Sequence, residues 1–244
     1  MSNRVEKYKI IILDVGKTMF DKTLSDTVSD VLLADIIKLR QLGIKVGVCT
    51  MRTIQHCKTI IPVKLDFYIS LNGSYIVCND DIVIHDDPMQ FIYNSLNFLT
   101  YGKDKTFFSS EHAKKKAIEN GFLFDDLGIA TPTYNTVIFD VKAVDLCKYS
   151  NWHYEYWANT KTLALQNKTS SRVQGISKVL NYYKHLEPIL YFGDGPNDLE
   201  VFKHYKDCVC MGNCFPALEK YAILKTDTCA NNGVSIALRK LNVL

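Results

Sequence analysis

The clearest indication of the fold is the stretch ILYFGDGPND, residues 189–198. Its apolar, aromatic first half predicts a buried strand, and Gly-Asp-Gly ends that strand abruptly. Asp194 therefore stands at the carboxyl end of a strand, where open α/β sheets bind ligands. Asp198 follows within one turn and opens an apparent helix, residues 199–204. Two carboxylates on such a turn suit Mg²⁺, although an ordinary corner with Asp198 as a helix cap gives the same pattern.

A second strand signal is KIIIL at residues 9–13, and it ends in DVGKT at residues 14–18. An aspartate at the carboxyl end of a strand, followed by a small residue and then a threonine, is a candidate nucleophile or metal ligand. The pattern therefore makes Asp14 a candidate for the same site as Asp194.

Two further pieces could bind an anion. A third predicted strand, Lys45–Cys49, ends in Thr50-Met51-Arg52, and the hydroxyl of Thr50 could donate a hydrogen bond to an anionic oxygen at the same sheet edge. Lys178 lies on a helix-like run, residues 173–185, and could bring a positive charge to the carboxylates.

Taken in chain order, these four pieces resemble the haloacid dehalogenase (HAD) superfamily of phosphotransferases. They match its nucleophilic-aspartate loop, its strand-end threonine, its helix lysine and its acidic loop. Further matches are similar to its Cof-type sugar-phosphatase branch: SLNG at residues 70–73, GISK at 175–178, MGNC at 211–214 and NGVSIAL at 232–238.

The resemblance implies an α/β fold, with a Rossmann-like three-layer core, a parallel sheet and an inserted α+β cap domain. We expect the core in residues 1–84 and 171–244, and the Cof-type cap in residues 85–170. The alternation of strand and helix signals from residue 9 to residue 69 agrees with a parallel sheet. Residues 75–77 and 82–84 predict a hairpin, residues 89–99 a helix, and residues 19–26 the flap of this superfamily.

The resemblance also implies a role for each site residue. Asp14 attacks phosphorus and forms an aspartyl-phosphate. Mg²⁺ is bound by Asp14, Asp194 and the carbonyl of Gly16, with Asp198 nearby. The remaining groups bind the phosphate or substrate, or orient the loop, and they are Thr50, Arg52, Asn72, Lys178 and Asn197.

The first loop departs from the family pattern Asp-x-Asp-Gly-Thr at two positions. Gly16 replaces the second aspartate, which protonates the leaving alcohol and then activates water. Losing a positioned acid–base group costs about two to four orders of magnitude in rate. Lys17 stands where glycine is usual and could point into the site or face solvent, and Met51 replaces the glycine of Thr-Gly-Arg.

These departures leave three interpretations open. The first is a Mg²⁺-dependent phosphatase for a small phosphomonoester, most simply a sugar phosphate, slowed by Gly16. The second is a protein that binds a phosphorylated ligand without turnover. The third is a phosphotransferase or mutase in which an alcohol replaces water.

Composition agrees with a folded globular protein. The chain has 244 residues, 47% of them hydrophobic and 23% charged, which excludes a disordered chain. The net charge of +3 gives no argument for nucleic acid, and no signal peptide or membrane span is apparent. Eight scattered cysteines read as free thiols, so we expect a cytoplasmic protein whose partner is a small phosphorylated metabolite. Its oligomeric state is unreadable.

An aromatic cluster lies near the end of the predicted cap, at residues 152–157 (WHYEYW). These rings could stack on a sugar ring or close over the site. Alternatively, they pack the interior of the cap.

Overall fold

The structure is a computed structural model that describes residues 7–80, 82–85, 98–102, 106–120 and 133–244. Its strands are β1 (Ile10–Leu13), β2 (Lys45–Cys49), β3 (Phe67–Ser70), β4 (Tyr75–Cys78), β5 (Ile82–His85), β6 (Phe98–Gly102), β7 (Thr106–Phe108), β8 (Thr133–Ile138), β9 (His153–Trp157), β10 (Thr162–Gln166), β11 (Ile189–Gly193), β12 (Cys208–Cys210) and β13 (Leu224–Lys225). Its α-helices are α1 (Asp30–Gln41), α2 (Ile54–Ile60), α3 (Glu111–Glu119), α4 (Arg172–Tyr182), α5 (Leu199–His204) and α6 (Gly233–Lys240). Over the described ranges, no helix is both long and apolar enough to cross a membrane.

The core sheet has the strand order β13-β12-β11-β1-β2-β3-β4-β5. The strands from β13 to β3 are parallel, whereas β4 and β5 form an antiparallel hairpin at the edge. The chain continues from β1 to β2 on one side, and β11 pairs with β1 on the other. A ligand crevice is expected at such a reversal of strand order, outside the carboxyl ends of the strands.

Helices cover both faces of this sheet. Because successive side chains of a strand point to opposite faces, β1 contributes Ile11 and Leu13 to one apolar cluster, with α1 and α6. It contributes Ile10 and Ile12 to the other, with α4 and α5. All four side chains are buried, and burying one of them fully stabilises the fold by about 1.5–3 kcal/mol. The apolar run of β1 therefore fixes it as a central strand.

Helix α4 is held close to the loop that follows β3. Ser171 caps the helix, and its hydroxyl accepts a hydrogen bond from the amide of Gln174 at 3.2 Å. A Cβ atom on Gly175 would lie 2.8 Å from the Cα of Gly73, so only glycine permits this approach. The contact brings Arg172, the first residue of α4, to the carboxyl edge of the sheet.

The second sheet is antiparallel, with the strand order β7-β6-β8-β10-β9. One of its faces contributes Val137 and Ala164 to an apolar cluster that also contains Leu71 and Tyr75 of the core. This shared cluster joins the cap sheet to the core.

The structure confirms the predicted α/β fold with a largely parallel core sheet. The cap strands run from residue 98 to residue 166, within the segment 85–170 predicted as cap, and the domain boundaries stay predictions. The helix predicted at residues 89–99 lies mostly outside the described residues. Its end is wrong, because Phe98 and Leu99 pair with β8 as part of strand β6. The aromatic cluster forms β9, a strand that sequence reasoning missed.

Candidate active site

Four polar residues meet at the carboxyl edge of neighbouring core strands. Asp14 follows β1, Thr50 follows β2, Asp194 follows β11, and Asn72 lies two residues beyond β3. All four are buried. The amide of Asn72 donates to the carbonyl of Thr50 at 2.9 Å, and the hydroxyl of Thr50 accepts from the amide of Arg52 at 3.2 Å. The structure therefore brings these predicted site residues to one place.

Asp14, Asp194 and Asp198 form a buried acidic cluster. One carboxylate oxygen from each lies within 4.8 Å of the others. The hydroxyl of Thr18 donates to Oδ1 of Asp194 at 3.1 Å, so the loop after β1 also reaches the loop after β11. The cluster offers only oxygen atoms, the ligands that Mg²⁺ prefers.

The carboxylate of Asp198 is fixed by the backbone of its own loop. Its Oδ2 accepts hydrogen bonds from the amides of Asp194 and Gly195, at 3.0 and 2.9 Å. A Cβ atom on Gly193 would lie 2.5 Å from Cγ of Asp198, so the glycine that ends β11 makes room for this carboxylate. Asp198 therefore orients the acidic loop, and it is less available for direct contact with a cation than Asp14 and Asp194.

Among the residues that the structure describes, Arg172 is a cation in contact with the cluster, and it is only 2% exposed. Its Nη1 donates to Oδ1 of Asp14 at 2.9 Å, to the hydroxyl oxygen of Tyr191 at 3.1 Å and to Oδ1 of Asp198. Its Nε donates to Oδ1 of Asn72 at 3.2 Å. One guanidinium thus links the ends of β1, β3 and β11, which a planar group with several donors can do.

Sequence reasoning missed Arg172 and assigned the cation to Lys178. Lys178 is half-buried on the same helix, six residues further along the chain. That separation is about 9 Å along the axis and about 240° around it, so the two side chains leave the helix in different directions. We therefore assign the contact with the carboxylates to Arg172, and a role for Lys178 stays a prediction. The available signal was an arginine directly after Ser171, because serine is a residue type that often precedes a helix.

The charges around the cluster do not balance. Burial raises the pKa of Asp14 above its ordinary value, partly offset by Arg172. Burial also raises the pKa of Asp194, and the charges of Asp14 and Asp198 raise it further. Arg172 contacts Asp14 and Asp198, and a divalent cation would relieve the repulsion that remains among the three carboxylates. The acidic cluster fits a divalent cation for this reason, and its identity as Mg²⁺, held by Asp14, Asp194 and Gly16, stays a prediction.

Gly16 borders the side chain of Arg52. A Cβ atom on Gly16 would lie 3.5 Å from Nη2 of Arg52, an ordinary contact, so the backbone accepts a side chain there. Nη1 of Arg52 hydrogen-bonds Nε2 of His56 at 2.7 Å, and the guanidinium lies over the ring of Phe20 at 5.7 Å. A carboxylate introduced at residue 16 would therefore lie beside the guanidinium of Arg52.

The other two departures, Lys17 and Met51, lie in different surroundings. Lys17 is exposed and has a φ of 57°, a left-handed conformation that glycine adopts more easily. Of the two directions considered for Lys17, this exposure favours the one towards solvent. Met51 is half-buried and packs on the apolar cluster that joins cap and core.

A cavity of about 180 Å³ lies between the cap and the core beside Arg172. Most of the residues that line it have polar side chains; they are Asn72, Arg172, Pro196, Asn197 and Glu200 from the core and His153, Tyr154, Glu155, Ala164 and Gln166 from the cap. The predicted site residues Asn72 and Asn197 thus border the space where a ligand would sit, and the roles predicted for them stay predictions.

The aromatic cluster at residues 152–157 has side chains in both of the places considered for it, the interior of the cap and the space beside the site. Trp152 and Tyr156 pack in the interior of the cap, and Trp157 packs on the cluster that joins cap and core. His153 and Tyr154 line the cavity instead.

We expect Tyr191→Phe to lower kcat about tenfold. The buried hydroxyl of Tyr191 donates to Oδ1 of Asp198 at 2.5 Å and accepts from Arg172. Its removal should cost about 1.5–3 kcal/mol of unfolding free energy and let both charged side chains move. Steady-state kinetics and urea denaturation measure the two effects.

Tyr183→Phe is the matched control, because Tyr183 donates to the carbonyl of Asp66 at 3.0 Å, away from the cluster. It should lower stability without lowering kcat. An unchanged kcat in Tyr191→Phe would limit that hydroxyl to a role in folding.

Known proteins share both the sequence pattern and the architecture of this chain. The sequence model of the haloacid dehalogenase-like hydrolases matches residues 11–238. YkrA of Bacillus subtilis, whose name gives phosphatase as a provisional activity, is 22% identical over 97% of this chain and 98% of its own length.

Two solved structures have the same fold over their whole length. A HAD-superfamily phosphatase from Bacteroides thetaiotaomicron has a TM-score of 0.83 at 20% identity, covering 100% of this chain and 98% of that one. A subclass IIB sugar phosphatase has a TM-score of 0.80 at 15% identity, covering 97% and 100%. The family match extends over nearly the whole chain and includes the loops that carry Asp14 and Asp194. This chain therefore belongs to the haloacid dehalogenase-like hydrolases, within their Cof-type phosphatase branch.

Proposed function

We propose that this protein is a Mg²⁺-dependent hydrolase of small phosphomonoesters, most simply sugar phosphates, that acts through an aspartyl-phosphate on Asp14. The observation that carries the proposal is the position of Asp14. It lies at the end of a central parallel strand, in contact with Arg172 and beside two further buried carboxylates.

The surroundings of Asp14 suit a nucleophilic carboxylate. Arg172 contacts its Oδ1 at 2.9 Å and so restrains the direction of the group. When bound, Mg²⁺ would neutralise negative charge and let a phosphate dianion approach. The hydroxyl of Thr50 and the guanidinium of Arg52 are candidates for binding the phosphate oxygens. Asp14 attacks phosphorus, the ester bond breaks, and water then hydrolyses the aspartyl-phosphate.

The lining of the cavity is consistent with a small polar substrate. It opens beside Arg172, and the cap supplies carboxylate, amide and imidazole groups to its wall. Such groups can hydrogen-bond to sugar hydroxyls. One solved structure with the same fold is a sugar phosphatase, which is consistent with this substrate class.

A second candidate function is the binding of a phosphorylated ligand without turnover. Gly16 favours it, because that position lacks the carboxylate that serves as acid and base in the family pattern. The acidic cluster, Arg172 and Thr50 would still bind phosphate and a cation.

Hydrolysis of p-nitrophenyl phosphate by the purified protein, with Mg²⁺ and with EDTA, tests the first function against the second. We expect hydrolysis that requires the cation. Binding of inorganic phosphate and Mg²⁺ without hydrolysis of this ester or of a panel of sugar phosphates would favour the binding protein.

We expect Asp194→Asn to weaken Mg²⁺ binding and hydrolysis together. The substitution keeps the shape of the side chain and removes one negative charge from the cluster. We expect at least a tenfold loss of Mg²⁺ affinity, about 1.4 kcal/mol, measured by calorimetry.

The exposed Asp26 gives the control, Asp26→Asn, which should bind Mg²⁺ as the wild type does. Wild-type affinity in Asp194→Asn would exclude Asp194 as a ligand.

A further inference from the structure

The cap places one carboxyl group in the wall of the cavity, facing the core site. Glu155 lies on β9, and Arg172 and Asn197 line the same cavity from the core. The β10 residue opposite Glu155 is Ala164, whose small side chain leaves the carboxyl group room. The indole Nε1 of Trp157 donates to Oε1 of Glu155 at 3.1 Å and so fixes the direction of the group.

The cavity gives Glu155 an unusual proton affinity for a glutamate. Burial raises the pKa of Glu155 to about 7; Arg172 on α4 lowers it, and Asp198 and Glu200 in the segment after β11 raise it. His153 and Tyr154, on the same strand, are the other titratable cap residues in the cavity wall. A carboxyl group that is about half protonated near neutral pH can both donate and accept a proton.

We propose that Glu155 is the general acid and base of this enzyme, acting from the cap in place of the carboxylate absent at Gly16. The inference rests on the proposed phosphatase function. Arg172 contacts the nucleophile Asp14 on one side and borders the cavity on the other. A phosphate ester bound at Asp14 with its leaving group in the cavity therefore has Glu155 beside that group.

In each turnover Glu155 gives up one proton and regains one. An oxygen of Asp14 bonds to phosphorus as the ester P–O bond breaks, and the leaving oxygen takes the proton of Glu155. Water then attacks the aspartyl-phosphate and gives a proton to the Glu155 carboxylate. The bond between phosphorus and Asp14 breaks, inorganic phosphate leaves, and both carboxyl groups regain their starting states.

Two aryl esters of similar shape test the first step. Phenyl phosphate has a basic leaving group that needs a proton, whereas the leaving group of p-nitrophenyl phosphate departs easily as an anion. We expect Glu155→Gln to lower kcat/KM for phenyl phosphate about 10²-fold or more. The same variant should change kcat/KM for p-nitrophenyl phosphate less than about threefold.

Two further readouts separate proton transfer from a structural role. The wild-type kcat/KM for phenyl phosphate should fall as pH rises through about 7, because the acid must be protonated, and Glu155→Gln should lose that dependence. With p-nitrophenyl phosphate, Glu155→Gln should show a burst of one nitrophenol per site before slow turnover, because hydrolysis of the aspartyl-phosphate lacks its base.

Gly16→Asp provides a rescue. In the Glu155→Gln background, this substitution places a carboxyl group beside the nucleophile. It should raise kcat/KM for phenyl phosphate at least tenfold above that of Glu155→Gln alone. The rescue should be partial, because Nη2 of Arg52 lies 3.5 Å from the new Cβ position and a pairing arginine lowers the pKa of an acid. Glu119→Gln, on the exposed surface of α3, is the matched control. Its kcat/KM should equal that of the wild type for both esters.

Equal losses of kcat/KM on the two esters in Glu155→Gln would overturn the proposal. Wild-type kcat/KM for both esters in that variant would overturn it as well. So would a loss selective for phenyl phosphate in His153→Gln but not in Glu155→Gln. A wild-type protein that hydrolyses neither ester with Mg²⁺ would instead overturn the phosphatase function, and this inference with it.

Discussion

Asp14→Asn is expected to abolish hydrolysis, with a loss of at least about three orders of magnitude in kcat. Asparagine keeps the size of the side chain and an oxygen that can accept from Arg172, but it lacks the nucleophilic carboxylate. The variant should still fold, because its other contacts are retained. Steady-state kinetics with p-nitrophenyl phosphate and mass spectrometry for the aspartyl-phosphate measure the loss.

The same variant should be as stable as the wild type, or more stable, without a metal ion. Burial raises the pKa of Asp14 in the folded chain, so its ionisation destabilises the fold at pH values above its ordinary pKa. The gain from asparagine should therefore be largest near neutral pH and disappear in acid. Thermal denaturation against pH measures it, with Asp26→Asn as the exposed control. Wild-type hydrolysis in Asp14→Asn would place the activity at another site.

Arg172→Met is expected to abolish activity and to destabilise the fold by about 3–5 kcal/mol, because it leaves buried carboxylates without their cation. Arg172→Lys should fall between this variant and the wild type. Lysine keeps the charge, but its single ammonium group cannot reproduce the fork that contacts Asp14 and Asn72. Urea denaturation and kcat measure both effects.

Lys178→Met is the comparison that separates the two candidate cations on α4. We expect it to lower kcat less than Arg172→Met does, because Arg172 contacts the carboxylate of Asp14 directly. The assignment of the cation to Arg172 would be wrong if Lys178→Met lost activity while Arg172→Met kept it.

Most of the core fold could be predicted from local sequence patterns. The apolar runs before Asp14, Thr50 and Asp194 predicted three parallel strands. A strand that is buried on both faces has apolar residues at nearly every position, so it is easy to recognise in a sequence. The carboxyl ends of the three strands predicted the place of the site, since parallel strands end at one edge. The helix 199–204 coincides with α5. These features depend on neighbours along the chain, so periodicity and turn residues were enough.

The cap was harder to predict. Its sheet is antiparallel and made of short strands, and β9 carries an aromatic run whose side chains are divided between the cap interior and the cavity. The sequence alone does not show which face of such a strand meets the core. The packing of the cap on Leu71 and Tyr75 determines that.

The sequence by itself determined the family, the parallel core and the presence of Asp14, Asp194 and Asp198 at one edge. Only the tertiary structure decided which cation contacts two of them and which cap residues line the cavity beside that cation. The Arg172–Asp14 contact joins residues 158 positions apart, and it depends on how closely Gly175 lets α4 approach the loop after β3. Glu155 lines the cavity beside Arg172 only because the cap docks on the core. Such contacts follow from the packing of distant elements, which no local pattern of residues encodes.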